Sequence, residues 1–278
     1  MAGFPDQVRA SLPVLMTIII TWLLTMRLTP YPLHVPTIVA PIPEVGGSLP
    51  EAILDPAPYF NALTVIAVMA AGGVILVVVL LKRVRVLKVF GASLTAVTAF
   101  ATTSYYLLTS TSISPGVALA LAVLAATWVV VSILGLRGIH LIMASAYVGA
   151  SAGAVISSMI PFWTTIILML AVSGYDILAV YVGHLRVLGN LEGVSIPGLM
   201  VDYDGLSIGM GDLFFYSLIQ SFSLSRIGLF PGLMTTLGLY IGFIITVQLA
   251  VRRRFVAGLP IPITLSMGLA FAGTLISQ

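Results

Sequence analysis

The sequence predicts an all-α membrane protein, a polytopic bundle of about nine transmembrane helices. Of its 278 residues, 59% are hydrophobic and 8% are charged, whereas soluble domains carry about 25% charged residues. The mean hydropathy is +1.15. Nine acidic and twelve basic side chains cannot cover the surface of a soluble fold of this size, so most of the surface must face lipid. The predicted partner is therefore the lipid bilayer, and the net charge of +3 does not indicate nucleic acid.

Apolar stretches long enough to cross a bilayer follow one another along the chain. A span needs about 20 residues, because the hydrocarbon core is about 30 Å thick. The first stretch lacks a small-residue cleavage site, so we interpret it as a membrane helix and not as a signal peptide. The chain, 1–278, is thus predicted to be one integral membrane domain, with six helices over about 11–183 and three over about 209–276. The predicted spans are 11–28, 60–81, 87–109, 116–136, 139–158, 162–183, 209–226, 229–251 and 258–276.

The basic residues predict a cytoplasmic N-terminus. With nine spans in this orientation, ten of the twelve basic side chains fall on the cytoplasmic side, where Lys and Arg are enriched. The Pro-rich gap 29–59 carries three acidic residues and no basic residue, as suits an outer loop. The ten cytoplasmic bases are Arg9, Lys82, Arg83, Arg85, Lys88, Arg137, Arg186, Arg252, Arg253 and Arg254, and the two near the outer face are Arg27 and Arg226.

A pair of glycines predicts close helix packing in the fifth span. Gly149 and Gly153 form a GxxxG pattern among several alanines. Small residues at this spacing allow two membrane helices to approach closely. We therefore expect this helix to contact a neighbour through its backbone.

Two acidic residues, Asp176 and Asp212, cannot be assigned to loops. Asp176 lies in SGYDILAVY of the sixth span, and Asp212 lies in SIGMGDLFFYSL at the start of the seventh. Placing an acidic side chain within a membrane helix costs about 2.5 to 3.5 kcal/mol on insertion scales. Each aspartate is therefore a candidate functional residue.

The two aspartates are predicted to lie at similar depths on antiparallel helices. Asp176 is about 10 Å from the cytoplasmic end of its span, and Asp212 is about 6 Å from the start of the next. Two neighbouring carboxyl groups cannot both ionise readily, so they share a proton. The ionised member can take a proton from water that attacks a peptide carbonyl, while the protonated member hydrogen-bonds the carbonyl oxygen and then protonates the leaving amine.

The glycines beside Asp212 suit the same chemistry. Gly209 and Gly211 flank Met210, and without a Cβ they let another backbone come close and permit unusual dihedral angles. A substrate helix must unwind before its carbonyl is attacked, and an extended peptide needs this room. By itself the GxGD pattern favours a loose helix N-terminus over a functional motif, but a second aspartate at the same depth reverses this and favours function.

At these residues the chain resembles the presenilin and signal peptide peptidase family of intramembrane aspartyl proteases of the GxGD type. The pair Tyr175–Asp176 matches the YD motif of the family, and Gly209–Asp212 matches its GxGD motif. The segment Ala257–Pro260 corresponds to the PAL motif followed by proline. The order and spacing of the motifs agree over nearly the whole chain.

The third motif departs from the family pattern. Leu259 and Pro260 match it, but Ala257 and Gly258 replace its first two residues. The resemblance implies that this segment frames the active site and contacts the substrate. Gly258 and Pro260 are expected to keep the backbone open near the membrane surface.

The resemblance also implies an aspartic endopeptidase in which Asp176 and Asp212 are catalytic, with no cofactor and no metal. Its substrates would be transmembrane helices of other proteins, cut within the bilayer. The predicted orientation resembles that of presenilins, and the short connection before the seventh span indicates a compact prokaryotic or archaeal relative in the cell membrane. No accessory subunit is evident, and the formation of a homo-oligomer is left open.

The strongest alternative is a proton- or cation-coupled transporter or channel that uses the same two aspartates. The sequence shows no clear inverted repeat, which a transporter would favour. It has no cysteine and no HExxH motif, and its three histidines lie in loops or at helix ends, so thiol, zinc and Ser-His chemistry are not indicated. Asp202 and Asp204 predict a turn in preference to a metal loop. A noncatalytic membrane scaffold is a third alternative.

Overall fold

A computed structural model describes residues 11–27, 41–44, 49–82, 84–110, 113–135, 138–182, 199–203, 206–252 and 256–276. The described part is almost entirely helical, with one small hairpin before α8 and a π-helical turn at Ser223–Ile227. The helices are α1 (Leu12–Arg27), α2 (Leu49–Leu54), α3 (Ala57–Lys82), α4 (Val84–Ser110), α5 (Pro115–Gly135), α6 (Ile139–Met159), α7 (Phe162–Val182), α8 (Met210–Phe222), α9 (Leu229–Arg252) and α10 (Pro260–Ile276).

The predicted spans agree with the helices. Each of the nine contains a described helix, and only the short α2, in the predicted outer loop, was not expected. The all-α membrane fold is therefore confirmed, whereas the number of spans and the orientation of the N-terminus stay predictions. Four described helices are long and apolar enough to cross a membrane by length and composition, namely Pro115–Gly135, Ile139–Met159, Phe162–Tyr181 and Leu229–Val251.

Helix α8 lies at the centre of the bundle. It packs against α6 and α1 most extensively and also contacts α7, α9 and α10. Every side chain from Phe215 to Phe222 is buried. The helix can be surrounded on all sides because its sequence after Asp212 is apolar apart from uncharged polar side chains.

Hydroxyl groups join α8 to its neighbours. Thr21 on α1 donates to Ser217 at 2.9 Å, and Thr25 donates to Ser221 at 3.0 Å. Ser217 in turn donates to the carbonyl of Ala150 on α6 at 2.7 Å. Polar groups inside a bilayer need partners within the protein, so these bonds specify which helices meet.

The predicted close packing at Gly149 and Gly153 is confirmed, and the neighbour is α8. A Cβ added to Gly153 would lie 2.5 Å from the carbonyl oxygen of Phe214, and one added to Gly149 would lie 2.8 Å from the Cβ of Leu213. Both distances are too short for non-bonded heavy atoms. Only glycine at these two positions lets α6 and α8 approach so closely.

Residues 41–44 lie against the N-terminal ends of α3 and α7. Ile42 exchanges two backbone hydrogen bonds with the side chain of Asn61, at 3.1 and 2.8 Å. The carboxylate of Glu44 accepts hydrogen bonds from the N–H of Trp163, at 3.1 Å, and from the N–H of Thr164. The first N–H groups of a helix lack intrahelical partners and favour a negative charge. Glu44 therefore caps the N-terminus of α7, although it lies far from this helix in the sequence.

Replacing Glu44 with glutamine is expected to lower the free energy of unfolding by about 1 kcal/mol, because the charge at the helix N-terminus is lost. For a protein of this size that corresponds to a Tm about 2 to 4 °C lower. Thermal unfolding of the purified protein in detergent measures the change. A Tm of Glu44→Gln equal to that of the wild-type protein would contradict the capping role.

An antiparallel hairpin that the sequence did not predict precedes α8. Its strands are β1 (Met200–Tyr203) and β2 (Leu206–Gly209), with Met200 opposite Gly209. Val201 and Ile208 face each other and are buried, so one side of the hairpin packs against the bundle. Asp202 lies in β1, and the predicted turn was therefore wrong for this residue. Asp204 lies outside the described residues.

Candidate active site

Asp176 lies near the described end of α7 at Val182 and is half-buried. Its Oδ2 accepts a hydrogen bond from the N–H of Leu259 at 2.9 Å. The backbone of Gly258 also interacts with this carboxylate. Both residues precede the first turn of α10, where N–H groups have no carbonyl partner within the helix. The carboxylate of Asp176 is thus held by the beginning of α10.

Asp212 is the third residue of α8. The residue before the helix, Gly209, has φ −68° and ψ 138°, an extended conformation that any residue adopts. Gly209 therefore does not use the unusual dihedral angles that glycine permits. The carboxylate of Asp212 interacts with the backbone of Gly209, as the third residue of a helix does in a capping box. This interaction fixes the aspartate at the helix start.

Gly258 is the residue at which the two aspartates meet. A Cβ added to Gly258 would lie 2.6 Å from Oδ2 of Asp212. The next residue, Leu259, donates its N–H to Asp176. Because both carboxyl groups contact this short stretch of backbone, they are no more than roughly 10 Å apart. They are close enough to interact electrostatically, so the structure brings together the two aspartates that the sequence identified.

Tyr216 was not identified from the sequence. It lies one turn after Asp212 on α8, and its hydroxyl donates to the carbonyl of Gly258 at 2.8 Å. The side chain is 1% exposed, and its ring packs edge-on against Phe243 of α9. A tyrosine in an apolar helix is usually a packing residue, so the only indication in the sequence was its spacing of four residues from Asp212.

The other predicted residues of the YD and GxGD motifs lie around the pair. Tyr175 is 39% exposed, and one step along α7 turns its side chain about 100° away from Asp176. Met210 is half-buried and begins α8. Gly211 is exposed, and a Cβ added there would meet no atom within 4 Å. Open space therefore adjoins Asp212 at Gly211.

The segment Ala257–Pro260 lies beside both aspartates, as the resemblance implied. Ala257 is half-buried, whereas the side chain of Leu259 is 5% exposed and belongs to the core. Pro260 is the first residue of α10, a position where its missing N–H removes no helical hydrogen bond. Within the described residues, no three His, Asp or Glu side chains are grouped as metal ligands.

Replacing Gly258 with alanine is expected to displace the carboxylate of Asp212, because the new Cβ would lie 2.6 Å from Oδ2. The displaced atom ends a flexible side chain, so we expect little change in Tm. Any catalytic activity of the pair is expected to fall by about tenfold, since small misplacements of reacting groups are costly. The fall in activity is measured as kcat in steady-state kinetics of Gly258→Ala, and Gly116→Ala is the control. An added Cβ at Gly116 meets no atom within 4 Å. Equal activity of the two variants would contradict the contact.

Two crystal structures of presenilin family intramembrane aspartate proteases have folds similar to that of this chain. One, in space group C222, has a TM-score of 0.65 and 18% sequence identity, and the match covers 96% of this chain and 98% of that chain. The other, in space group P2, has a TM-score of 0.59 and 20% identity, and covers 99% and 98%. No protein-family model and no curated protein sequence matches the chain significantly. The chain is therefore an integral, multi-pass membrane protein with the fold of the presenilin family intramembrane aspartate proteases.

Proposed function

We propose that the protein is an intramembrane aspartyl protease, which hydrolyses peptide bonds within transmembrane segments of other membrane proteins. The observation that carries the proposal is the meeting of Asp176 and Asp212, from two different helices, at the backbone of Gly258 and Leu259. Charged groups inside a membrane bundle are costly and serve function by default. The similarity of fold supports the protease and gives no support to the transporter or channel.

The proposed reaction uses the two carboxyl groups and one water molecule. The pair shares one proton, because two adjacent carboxylates repel each other. The ionised carboxyl removes a proton from water as the water oxygen bonds to the peptide carbon, while the protonated carboxyl donates to the carbonyl oxygen. The protonated carboxyl then passes its proton to the nitrogen as the C–N bond of the intermediate breaks, which leaves the two carboxyl groups with their protonation states exchanged. The products are a new carboxyl terminus and a new amino terminus.

A substrate must reach the pair as an extended peptide. The open space at Gly211 gives room for a backbone beside Asp212. The hairpin ends at Gly209, immediately before α8, and its backbone can hydrogen-bond to an unwound segment. These features support a substrate helix that unwinds locally at the site.

The proposed enzyme lies in the cell membrane and forms its active site from one chain. Both aspartates and the segment that contacts them belong to this chain, which supports an active site that is built without an accessory subunit. The distribution of basic residues supports a cytoplasmic N-terminus. The active site would then lie toward the cytoplasmic side, since three successive arginines, Arg252 to Arg254, follow one another at the end of α9 and the start of its connection to α10.

Peptide cleavage tests the proposal directly. The purified protein is reconstituted into liposomes with a labelled transmembrane peptide in water enriched in ¹⁸O. We expect two fragments by mass spectrometry, cut within the apolar segment, with ¹⁸O in the new carboxyl terminus. An intact peptide, together with proton or cation flux across the same liposomes, would establish the transporter alternative instead.

A further inference from the structure

We propose that Tyr216 is a positioning residue for the two aspartates, and that its hydroxyl acts by holding the carbonyl of Gly258. This inference rests on the proposed protease function. Tyr216 does not react with the substrate in this proposal. It keeps in place the short piece of backbone that contacts both carboxyl groups.

The geometry around Gly258 carries the inference. Three groups of this backbone face three different side chains. The carbonyl oxygen accepts the hydroxyl of Tyr216 at 2.8 Å, the Cα side lies against Asp212, and the following N–H, of Leu259, donates to Asp176 at 2.9 Å. Tyr216 also lies within electrostatic reach of both aspartates. A change in the orientation of the Gly258 carbonyl therefore alters the contacts of both carboxyl groups.

The Gly258 carbonyl depends on Tyr216 because the residue four positions later, Pro262, has no N–H to donate. The carbonyl of Leu259 accepts the first backbone hydrogen bond of α10, from Ile263 at 3.0 Å. The Gly258 carbonyl comes one residue earlier and accepts the phenolic hydroxyl instead. A carbonyl buried in a membrane bundle needs such a partner. The hydroxyl thus connects the Ala257–Pro260 segment to the helix that carries Asp212.

The position of the hydroxyl is itself fixed by packing. The side chain of Tyr216 is 1% exposed, and its ring lies 6.4 Å from the ring of Phe243 at an angle of 75°. Edge-to-face contacts of this kind favour a defined ring orientation. Phe243 is 4% exposed and belongs to α9. Helices α8 and α9 together therefore hold the hydroxyl at the Gly258 carbonyl.

The experiment compares Tyr216→Phe with Tyr240→Phe in the cleavage assay. Both variants lose one phenolic hydroxyl. The hydroxyl of Tyr240, however, forms a hydrogen bond with the hydroxyl of Ser11 at 3.5 Å and not with the active-site backbone. For Tyr216→Phe we expect kcat to fall about 10- to 100-fold, because reacting groups that move by about 1 Å lose catalysis on that scale. The KM should stay within about twofold, since no substrate contact is removed. Tyr240→Phe should match the wild-type protein.

A merely structural role of Tyr216 gives a different result. It would lower Tm or the yield of folded protein and leave kcat per folded molecule unchanged, which would overturn the inference. Should Tyr216→Phe fail to fold, Phe243→Leu keeps the hydroxyl and loosens the ring, and kcat is expected to fall by a smaller factor with unchanged KM. Unchanged kcat in that variant would also overturn it. Failure of the wild-type protein to cleave any peptide would instead refute the proposed function.

Discussion

Replacing either Asp176 or Asp212 with asparagine is expected to lower the rate of peptide cleavage by about 10³-fold or more, since general acid–base catalysis contributes up to about 10⁴-fold. Neither carboxamide can exchange the proton that the reaction requires. Because the two carboxyl groups act as one unit, the double variant should be scarcely less active than either single variant. The measurement is product formation from a labelled transmembrane peptide under single-turnover conditions.

The fold of these variants is expected to survive. Asparagine has nearly the volume of aspartate, and its carbonyl oxygen can still accept the N–H of Leu259 that now binds Asp176. Removing a charge from the bundle also removes a desolvation cost, so Tm should not fall. Asp55→Asn, in the predicted outer loop, is the control and should cleave normally. If either active-site variant kept more than about a tenth of the wild-type rate, the acid–base mechanism would be refuted.

The pH dependence offers a further check on the same pair. The mechanism requires one ionised and one protonated carboxyl, so the cleavage rate should fall on both sides of an optimum. A rate that rose steadily with pH would indicate a single general base instead.

The apolar helices and the two aspartates could be predicted because the bilayer makes strong demands on sequence. A crossing helix must be long and apolar, and an acidic residue within it needs a functional reason. The close helix packing at Gly149 and Gly153 was also predictable, because small residues at this spacing indicate a helix face that contacts another helix. The identity of that other helix, α8, was not predictable, since the spacing does not specify the neighbour.

The remaining parts of the site depend on contacts between distant segments. The strands of the hairpin have four residues each, too short for alternation to distinguish them from a loop. The capping of α7 by Glu44 joins residues 120 positions apart. Tyr216 gains its role only because its hydroxyl contacts the Gly258 carbonyl, and the local sequence of neither residue indicates that contact.

The packing of α9 on α10 is another contact that the sequence did not single out. The chain has 26 glycines, and two of them, Gly238 and Gly242, allow these helices to touch. A Cβ on Gly242 would lie 2.5 Å from the Cα of Pro262, and one on Gly238 would lie 2.5 Å from the Cα of Ser266. The opposing atoms are backbone atoms, so no change of rotamer relieves the overlap.

Replacing Gly242 with leucine is therefore expected to separate α9 from α10 and to lower the free energy of unfolding by about 3 kcal/mol or more, the upper range for overpacking. Pro262 lies in the first turn of α10, so the same displacement moves the N–H groups that bind Asp176. Cleavage by the folded fraction should fall about 100-fold. Thermal unfolding and steady-state cleavage, measured on the same preparation, give the two quantities.

The control for this prediction is Gly268→Leu on α10 itself. Gly268 is exposed, and an added Cβ there meets no atom within 4 Å. Leucine also forms helix more readily than glycine, so the control should be at least as stable as the wild-type protein and equally active. The two variants add the same side chain to the same helix pair, one at the contact and one away from it. If Gly242→Leu behaved like Gly268→Leu, the start of α10 could not depend on its contact with α9, and the position of the Asp176 carboxylate would need another cause.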